Sequence, residues 1–148
     1  VPLIVLEASK ALPGATIGDG PVIRVGDRLS IFDPAIEYAL HDLAQQIASN
    51  DNHFAYQRQL MSGGVCEASI YVLEGYRVGA LAFPLGHYHN QGKRWPAPEF
   101  ISLSDARNMI RFCHEVAIHP PAGDTRDPMR KRWASRFATS RDRVLDTR

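Results

Sequence analysis

The sequence has 148 residues, enough for one domain with its own core, and its 45% hydrophobic and 22% charged residues are those of an ordinary globular protein. A formal net charge of +1 provides no global field toward nucleic acid or a membrane, and no apolar run approaches the roughly 18 residues that span a bilayer. Two cysteines, Cys66 and Cys113, are too few for a disulfide framework and fit reduced thiols in the cytoplasm.

The opening VPLIVL lacks the positive segment of a signal peptide, and the chain starts at Val1 already inside a strand pattern. We expect it to be a piece of something longer. Leu3 to Leu6 reads as a buried strand ending at Glu7, and Ala11 to Pro21 as a loop punctuated by Gly and Pro. PVIRVGD, from Pro21 to Asp27, reads as a second strand. Asp33 and Pro34 have the chemistry of an N-cap and first helical position, and Ile36, Ala39, Leu40, Leu43, Ala44 and Ile47 repeat at helical spacing through Ser49.

Phe54 to Leu60 alternates apolar and polar residues as a half-buried strand does. After the turn Ser62–Gly64, a short helix is expected from Cys66 to Glu74, with Ala68, Ile70, Tyr71 and Leu73 apolar and Gly75 as its C-cap. Val78 to Pro84 is almost wholly apolar, which predicts a central strand. A loop from Leu85 to Phe100 follows. A helix capped by Ser104 then runs to about Ala117, its core stripe Ala106, Met109, Ile110, Cys113 and Val116.

From His119 onward there are eight Arg or Lys and few apolar residues; Asp127-Pro128 can open a short helix with Met129, Trp133 and Phe137 on one side, and the rest reads as a flexible tail. Its four aspartates dilute the charge, so no nucleic-acid partner is expected, nor a membrane. The alternation of strands and helices predicts an α/β fold: three layers, α/β/α, with a largely parallel mixed sheet. Such sheets set their sites at the carboxyl ends of strands.

Two places answer that description. Glu7 follows the first aliphatic run; it is either a surface carboxylate or one that needs a partner or a metal. FPLGHYHN, Phe83 to Asn90, ends the central strand with His87 and His89. In extended chain the two rings would lie on the same side, as metal ligands or as ordinary loop histidines. In SGGVCEAS the paired Gly63 and Gly64 permit close approach of backbone to a ligand, and helix-start N–H groups there can hold a carboxylate. The alternative is a plain strand-to-helix turn. Cys66 is a candidate lowered-pKa thiolate, and Glu67 a substrate-facing carboxylate or a favourable first-turn charge.

In this order VLEAS, GDGPVIRVGDR, SGGVCEASIYVLEGYRVGALAFPLGHYHN and FISLSDARNMIRF resemble the carboxyl-terminal half of a known catalytic domain. It is that of the co-catalytic dizinc aminopeptidases: the glutamyl and tetrahedral aminopeptidases and their aminoacylase-like cousins in one metallopeptidase clan. The resemblance covers Leu3 to Ala117. It implies a hydrolase of peptides or acylamino acids that is homo-oligomeric when intact and uses two zinc ions, with cobalt or manganese as substitutes. The family's Leu-Asp strand end matches Leu6-Glu7, its Gly-Gly-Thr-Asp-Ala turn matches Gly63 to Glu67 with departures at Val65, Cys66 and Glu67, and its last histidine matches His89.

By that resemblance Glu7 and His89 are metal ligands of different ions, and Gly63, Gly64, Cys66 and Glu67 line the substrate pocket, with Arg28 and His87 as further contacts. The family's other ligands and its general-base glutamate precede the strand that ends in Glu7. No catalytic residue is therefore expected in this sequence, and two monodentate ligands cannot assemble a dizinc site alone. Residues 1–118 are expected to form the half-domain and residues 119–148 the basic tail. The expectation is a fragment inactive by itself, or else a non-catalytic binding or assembly module of the same fold.

Overall fold

The computed structural model describes residues 2–121 and 126–146. Its elements in chain order are β1 (Leu3–Lys10), β2 (Val22–Gly26), α1 (Pro34–Asn50), β3 (Gln57–Leu60), α2 (Glu67–Leu73), β4 (Val78–Leu85), α3 (Leu103–Ile118) and α4 (Arg126–Leu145). A single 3-10 turn, Tyr88–Asn90, follows β4. The strands form one sheet in the order β1-β4-β2-β3. β1 runs parallel to β4, and β2 parallel to β3; the central β4–β2 pair is antiparallel. The sheet is mixed and mostly parallel, with helices on both sides, as the alternating pattern predicted.

Strand alternation divides the core. Ile23 and Leu81 face α1 and α3, where they pack with Ile36, Leu40, Phe54, Met109 and Phe112. Val5, Val78 and Ala80 face the other way and pack with Phe32 and with Ala68 of α2. α1 lies so close on β4 that a Cβ at Gly79 would come within 2.5 Å of Ile36 Cγ2. Asp33 caps α1 as expected, accepting from the Ala35 and Ile36 N–H groups at 2.8 and 3.1 Å.

Five sequence expectations change. β1 does not stop at Glu7: its ladder with β4 continues to Lys10↔Leu85, so Glu7 sits mid-strand opposite Ala82. The aliphatic run ends earlier than the strand because β1 is an edge strand whose second half lines a cleft rather than the core. α3 is capped by Ser102, whose hydroxyl accepts from Ser104 N–H, and not by Ser104. Its buried face is Asp105, Met109 and Phe112, while Ile110 is 71% exposed. The carboxylate of Asp105 explains the rotation: it accepts from Gly18 and Gly20 N–H, each at 2.8 Å, and ties the Gly-rich loop to α3. α2 buries only Ala68 and Ser69, leaving Ile70 and Leu73 exposed. The helix near Asp127-Pro128 is not short: it runs on to Leu145, with Trp133 and Phe137 exposed. Among the described residues no helix is long and apolar enough to cross a membrane.

Candidate active-site cleft

A small cleft of about 30 Å³ opens on the α2 side of the sheet, lined by Glu7 to Lys10 of β1, Arg24 of β2, Met61, Gly63 to Cys66 and Tyr88. The parallel β1–β4 ladder brings the Glu7 end of β1 beside the strand that leads to Tyr88. The turn after β3 delivers the glycines and the start of α2. Residues far apart in sequence thus meet where the aliphatic pattern of β1 gives way to polar residues.

The chemistry centres on two carboxyl groups and a guanidinium. Burial, a hydrogen bond to Glu67 and repulsion by its charge push Glu7 up to about 7, against the pull of Arg24 and the Ala8 N–H. Glu67, exposed at the first position of α2, is held below the usual carboxylate range, mainly by that same hydrogen bond and by its own backbone N–H. Of the two carboxyl groups, Glu7 is therefore the one that holds a proton more readily. Arg24 is only 3% exposed, and its Nε and Nη1 have no hydrogen-bond partner among the described residues. Its Cζ lies 5.6 Å from the centre of the Phe32 ring, which is itself buried.

Asp27 holds this region in shape. It is buried and accepts from Leu29, Ser30 and Cys66 N–H and from the Ser69 hydroxyl, the last at 2.6 Å. Burial alone would raise its pKa; these four donors outweigh it and hold the carboxyl below its ordinary value. The Cys66 N–H is therefore committed to Asp27 and is not free to hold a substrate oxyanion. The Cys66 thiol is pushed up by burial, with Arg24 only partly opposing, so it is a neutral thiol rather than the lowered thiolate considered from sequence.

The other expected residues divide. Gly63 and Gly64 line the cleft without left-handed backbone; a Cβ at Gly64 would reach only ordinary contact, 3.4 Å from the Tyr88 hydroxyl. Arg28 is exposed and outside the cleft lining, its N–H bonded to the Gly64 carbonyl at 3.0 Å. Arg24, one helical-looking step earlier on β2, occupies the cleft instead. The sequence signal that could have found it is a charge inside an otherwise apolar strand, VIRVG.

The histidines are not in extended chain. His87 and His89 have φ of 51° and 56°, so the alternation argument that put both rings on one side does not apply. His87 Nδ1 lies 2.9 Å from the Pro98 carbonyl, which only accepts, so Nδ1 is the donor. His89 stacks on Tyr88 with ring centres 3.9 Å apart, and its N–H donates to Glu99. Tyr88 lines the cleft; the two histidines flanking it are exposed and do not.

The sequence model of the M42 glutamyl aminopeptidases matches residues 5–111. The chain belongs to that family. No curated protein matches it. Among solved structures, a TET aminopeptidase from the marine sediment archaeon Thaumarchaeota archaeon SCGC AB-539-E09 is 24% identical with a TM-score of 0.61, over 76% of this chain and 31% of that one. The aminopeptidase APDkam598 of Desulfurococcus kamchatkensis is 24% identical with a TM-score of 0.60, over 76% and 32%. The TET1 peptidase of Pyrococcus horikoshii is 20% identical with a TM-score of 0.56, over 78% and 33%. These likenesses show the fold, and the chain spans about a third of the length of each of these structures.

A metallopeptidase family implies a metal ion, and the M42 chain can be tested for one by its donors. Glu7 and His89 have suitable donor atoms, a carboxylate oxygen and an imidazole nitrogen. Among the described residues, however, no group of three or more His, Cys, Asp or Glu gathers to hold an ion. Glu7 is engaged with Glu67 and His89 with Tyr88. The described residues therefore offer donor atoms of a suitable kind but do not by themselves gather into a metal site.

Proposed function

We propose that this chain is the carboxyl-terminal part of a metal-dependent aminopeptidase whose cleft receives an acidic residue of a peptide or acylamino-acid substrate, and that the chain alone does not turn substrate over. The observation that carries the substrate class is Arg24. A buried guanidinium with two unpartnered nitrogens is costly unless an anion meets it, and a carboxylate is the geometric match for a planar fork of N–H donors. The glutamyl name of the family agrees with a carboxylate there.

In this reading Glu7 and His89 contribute to a centre of two zinc ions, with cobalt or manganese as substitutes, and the remaining ligands come from outside these 148 residues. When bound, the ions supply a Lewis acid for the scissile carbonyl and an acidified water. Gly63, Gly64, Cys66 and Glu67 line the substrate pocket: the glycines leave room for substrate backbone, the neutral Cys66 thiol adds a half-buried wall, and Glu67 offers a carboxylate to the substrate's amino group. Arg28 and His87 meet parts of the substrate that extend beyond the cleft. No described residue serves as general base. The intact protein is homo-oligomeric and cytoplasmic in this reading; the dodecamer of PhTET1-12s and the tetrahedral or octahedral assemblies of the Pyrococcus horikoshii TET1 peptidase support the oligomer.

A second reading, a non-catalytic binding module of the same fold, is favoured by one observation: Glu7 has a hydrogen-bond partner in Glu67 and the favourable charge of Arg24 nearby. The test is to assay the 148-residue chain with zinc or cobalt on glutamyl- and leucyl-p-nitroanilide, and separately to measure binding of L-glutamate against L-glutamine. No turnover is expected, and L-glutamate should bind in preference, a preference lost in Arg24→Gln. Metal-dependent turnover at enzyme-like rates would overturn the inactivity. Equal binding of the two amino acids would overturn the acidic-substrate reading.

A further inference from the structure

Arg24 has to be held inside the protein in a form that is still able to accept a ligand. Its Nε and Nη1 are bonded to nothing among the described residues, so no hydrogen bond to those atoms fixes the guanidinium. The group placed against it is Phe32, with the ring centre 5.6 Å from Cζ. A cation over an aromatic face is attracted by the ring quadrupole, and the attraction grows as water is removed. A phenyl ring has no lone pair to accept a hydrogen bond, so the contact with Phe32 leaves Nε and Nη1 without an acceptor. A carboxylate in Phe32's place would neutralise Arg24 and compete with the substrate. An aliphatic side chain would add nothing to the pull of the Glu7 and Glu67 carboxyl groups on that charge.

Phe32 is well fixed for that task. It is 1% exposed and packs with Val5, Val78, Ala80 and Ala68, drawn from two strands and α2. Its N–H bonds the Val25 carbonyl at 3.0 Å, directly beside Arg24 in the chain. The loop between β2 and Phe32 is closed by the Gly26↔Ile31 bridge, and Asp27 accepts the Leu29 and Ser30 N–H groups inside it. A Cβ at Gly26 would come within 2.3 Å of the Ser30 carbonyl, so the closure needs glycine. The loop thus returns an aromatic ring to a strand residue eight positions earlier (Arg24 to Phe32).

We infer that Phe32 is the positioning residue of the acidic-substrate subsite: its π face compensates the buried charge of Arg24 and holds the guanidinium so that its N–H edge stays free for a substrate carboxylate. The inference rests on the acidic-substrate reading above. It makes an affinity for carboxylates depend on the electron density of a ring that touches no substrate.

The test installs 4-fluoro-, 3,5-difluoro- and 3,4,5-trifluorophenylalanine at position 32 alone in the 148-residue chain. Fluorination drains the ring quadrupole while nearly preserving its size, so a merely structural role is left intact. L-glutamate affinity should fall stepwise along the series, to about tenfold weaker at the trifluoro ring, with L-glutamine binding unchanged. The Nε–H signal of Arg24 in a nitrogen–proton NMR spectrum should shift in the same order. Phe32→Leu should weaken L-glutamate binding by a similar factor in the folded protein. If Arg24→Gln abolishes the glutamate preference but the fluorinated series is flat in both readouts, the Phe32 inference fails and the acidic-substrate reading stands. If the unmodified chain shows no preference for L-glutamate, both fall.

Discussion

The two faces of the sheet bury charge in different ways. On the face covered by α1 and α3, each buried ion has its partners. Glu37, 4% exposed, receives Arg58 through two nitrogens, Nη2 at 2.9 Å, and Asp105, fully buried, accepts two glycine N–H groups. On the face covered by α2, Asp27 is equally well satisfied, but Arg24 is buried with two nitrogens that have no partner among the described residues, and Glu7 is pushed up to about 7 by burial and by Glu67. Unsatisfied buried polar groups are rare in folded proteins because each costs free energy that nothing returns. Their confinement to one cleft marks the α2 face as the one shaped for a ligand, while the α1/α3 face is shaped for stability.

Mutations that respect this division should separate stability from binding. The largest effect is expected for Phe112→Ala, which empties a fully buried aromatic site on the α1/α3 face; urea unfolding should show a loss of about 3–5 kcal/mol. The folded fraction should keep its preference for L-glutamate, and loss of that preference in protein still folded would break the division. Asp105→Ala should cost about 1–3 kcal/mol by leaving the buried Gly20 N–H unbonded and releasing the exposed Gly18 N–H to water. Restored proteolytic resistance on shortening the Ala11 to Pro21 loop would sharpen the assignment of that cost to the loop.

On the α2 face, Asp27 predicts a pH dependence. Its folded pKa lies below the ordinary 3.8, so its contribution is complete above that value and drains away as the pH falls through the lowered one. Asp27→Asn should lose about 1–2 kcal/mol at neutral pH and flatten the acid limb of stability against pH. An acid limb of unchanged steepness would show that another carboxylate carries it. The smallest effect belongs to the surface cap. Asp33→Ala should cost about 1 kcal/mol through the loss of the α1 N-cap and of the Arg77 contact at 2.8 Å, measured as a small drop in Tm with no change in ligand binding.

Much of the scaffold was legible in the residues. The central strand showed itself as the unbroken apolar run of Val78 to Pro84, α1 as a capped 3.6-residue repeat, and the mixed α/β class as their alternation. The buried face of α3 was read wrongly at Ile110 because Asp105, a charged residue, takes an inward place. A hydrophobic pattern cannot register a carboxylate that is buried for the sake of two backbone N–H groups in a distant loop. The cleft was half legible: Glu7, Gly63, Gly64, Cys66 and Glu67 were singled out, and four of them, with Glu7, meet at one place, Glu67 through its hydrogen bond to Glu7. Arg24 was not singled out, although a charge inside the apolar strand VIRVG marked it.

The sequence by itself determined what depends on local repetition and on ordered motifs: the strands, the capped helices and the kinship with the M42 glutamyl aminopeptidases over residues 5–111. Only the tertiary structure decided which charges face each other. The parallel register of β1 on β4 set Glu7 on the α2 face, the turn after β3 brought Glu67 to it, and the Gly26 to Ile31 loop laid Phe32 against Arg24. Those contacts join residues 8 to 75 positions apart, and their energies come from burial and from charge at short range. Neither quantity exists until the chain has folded.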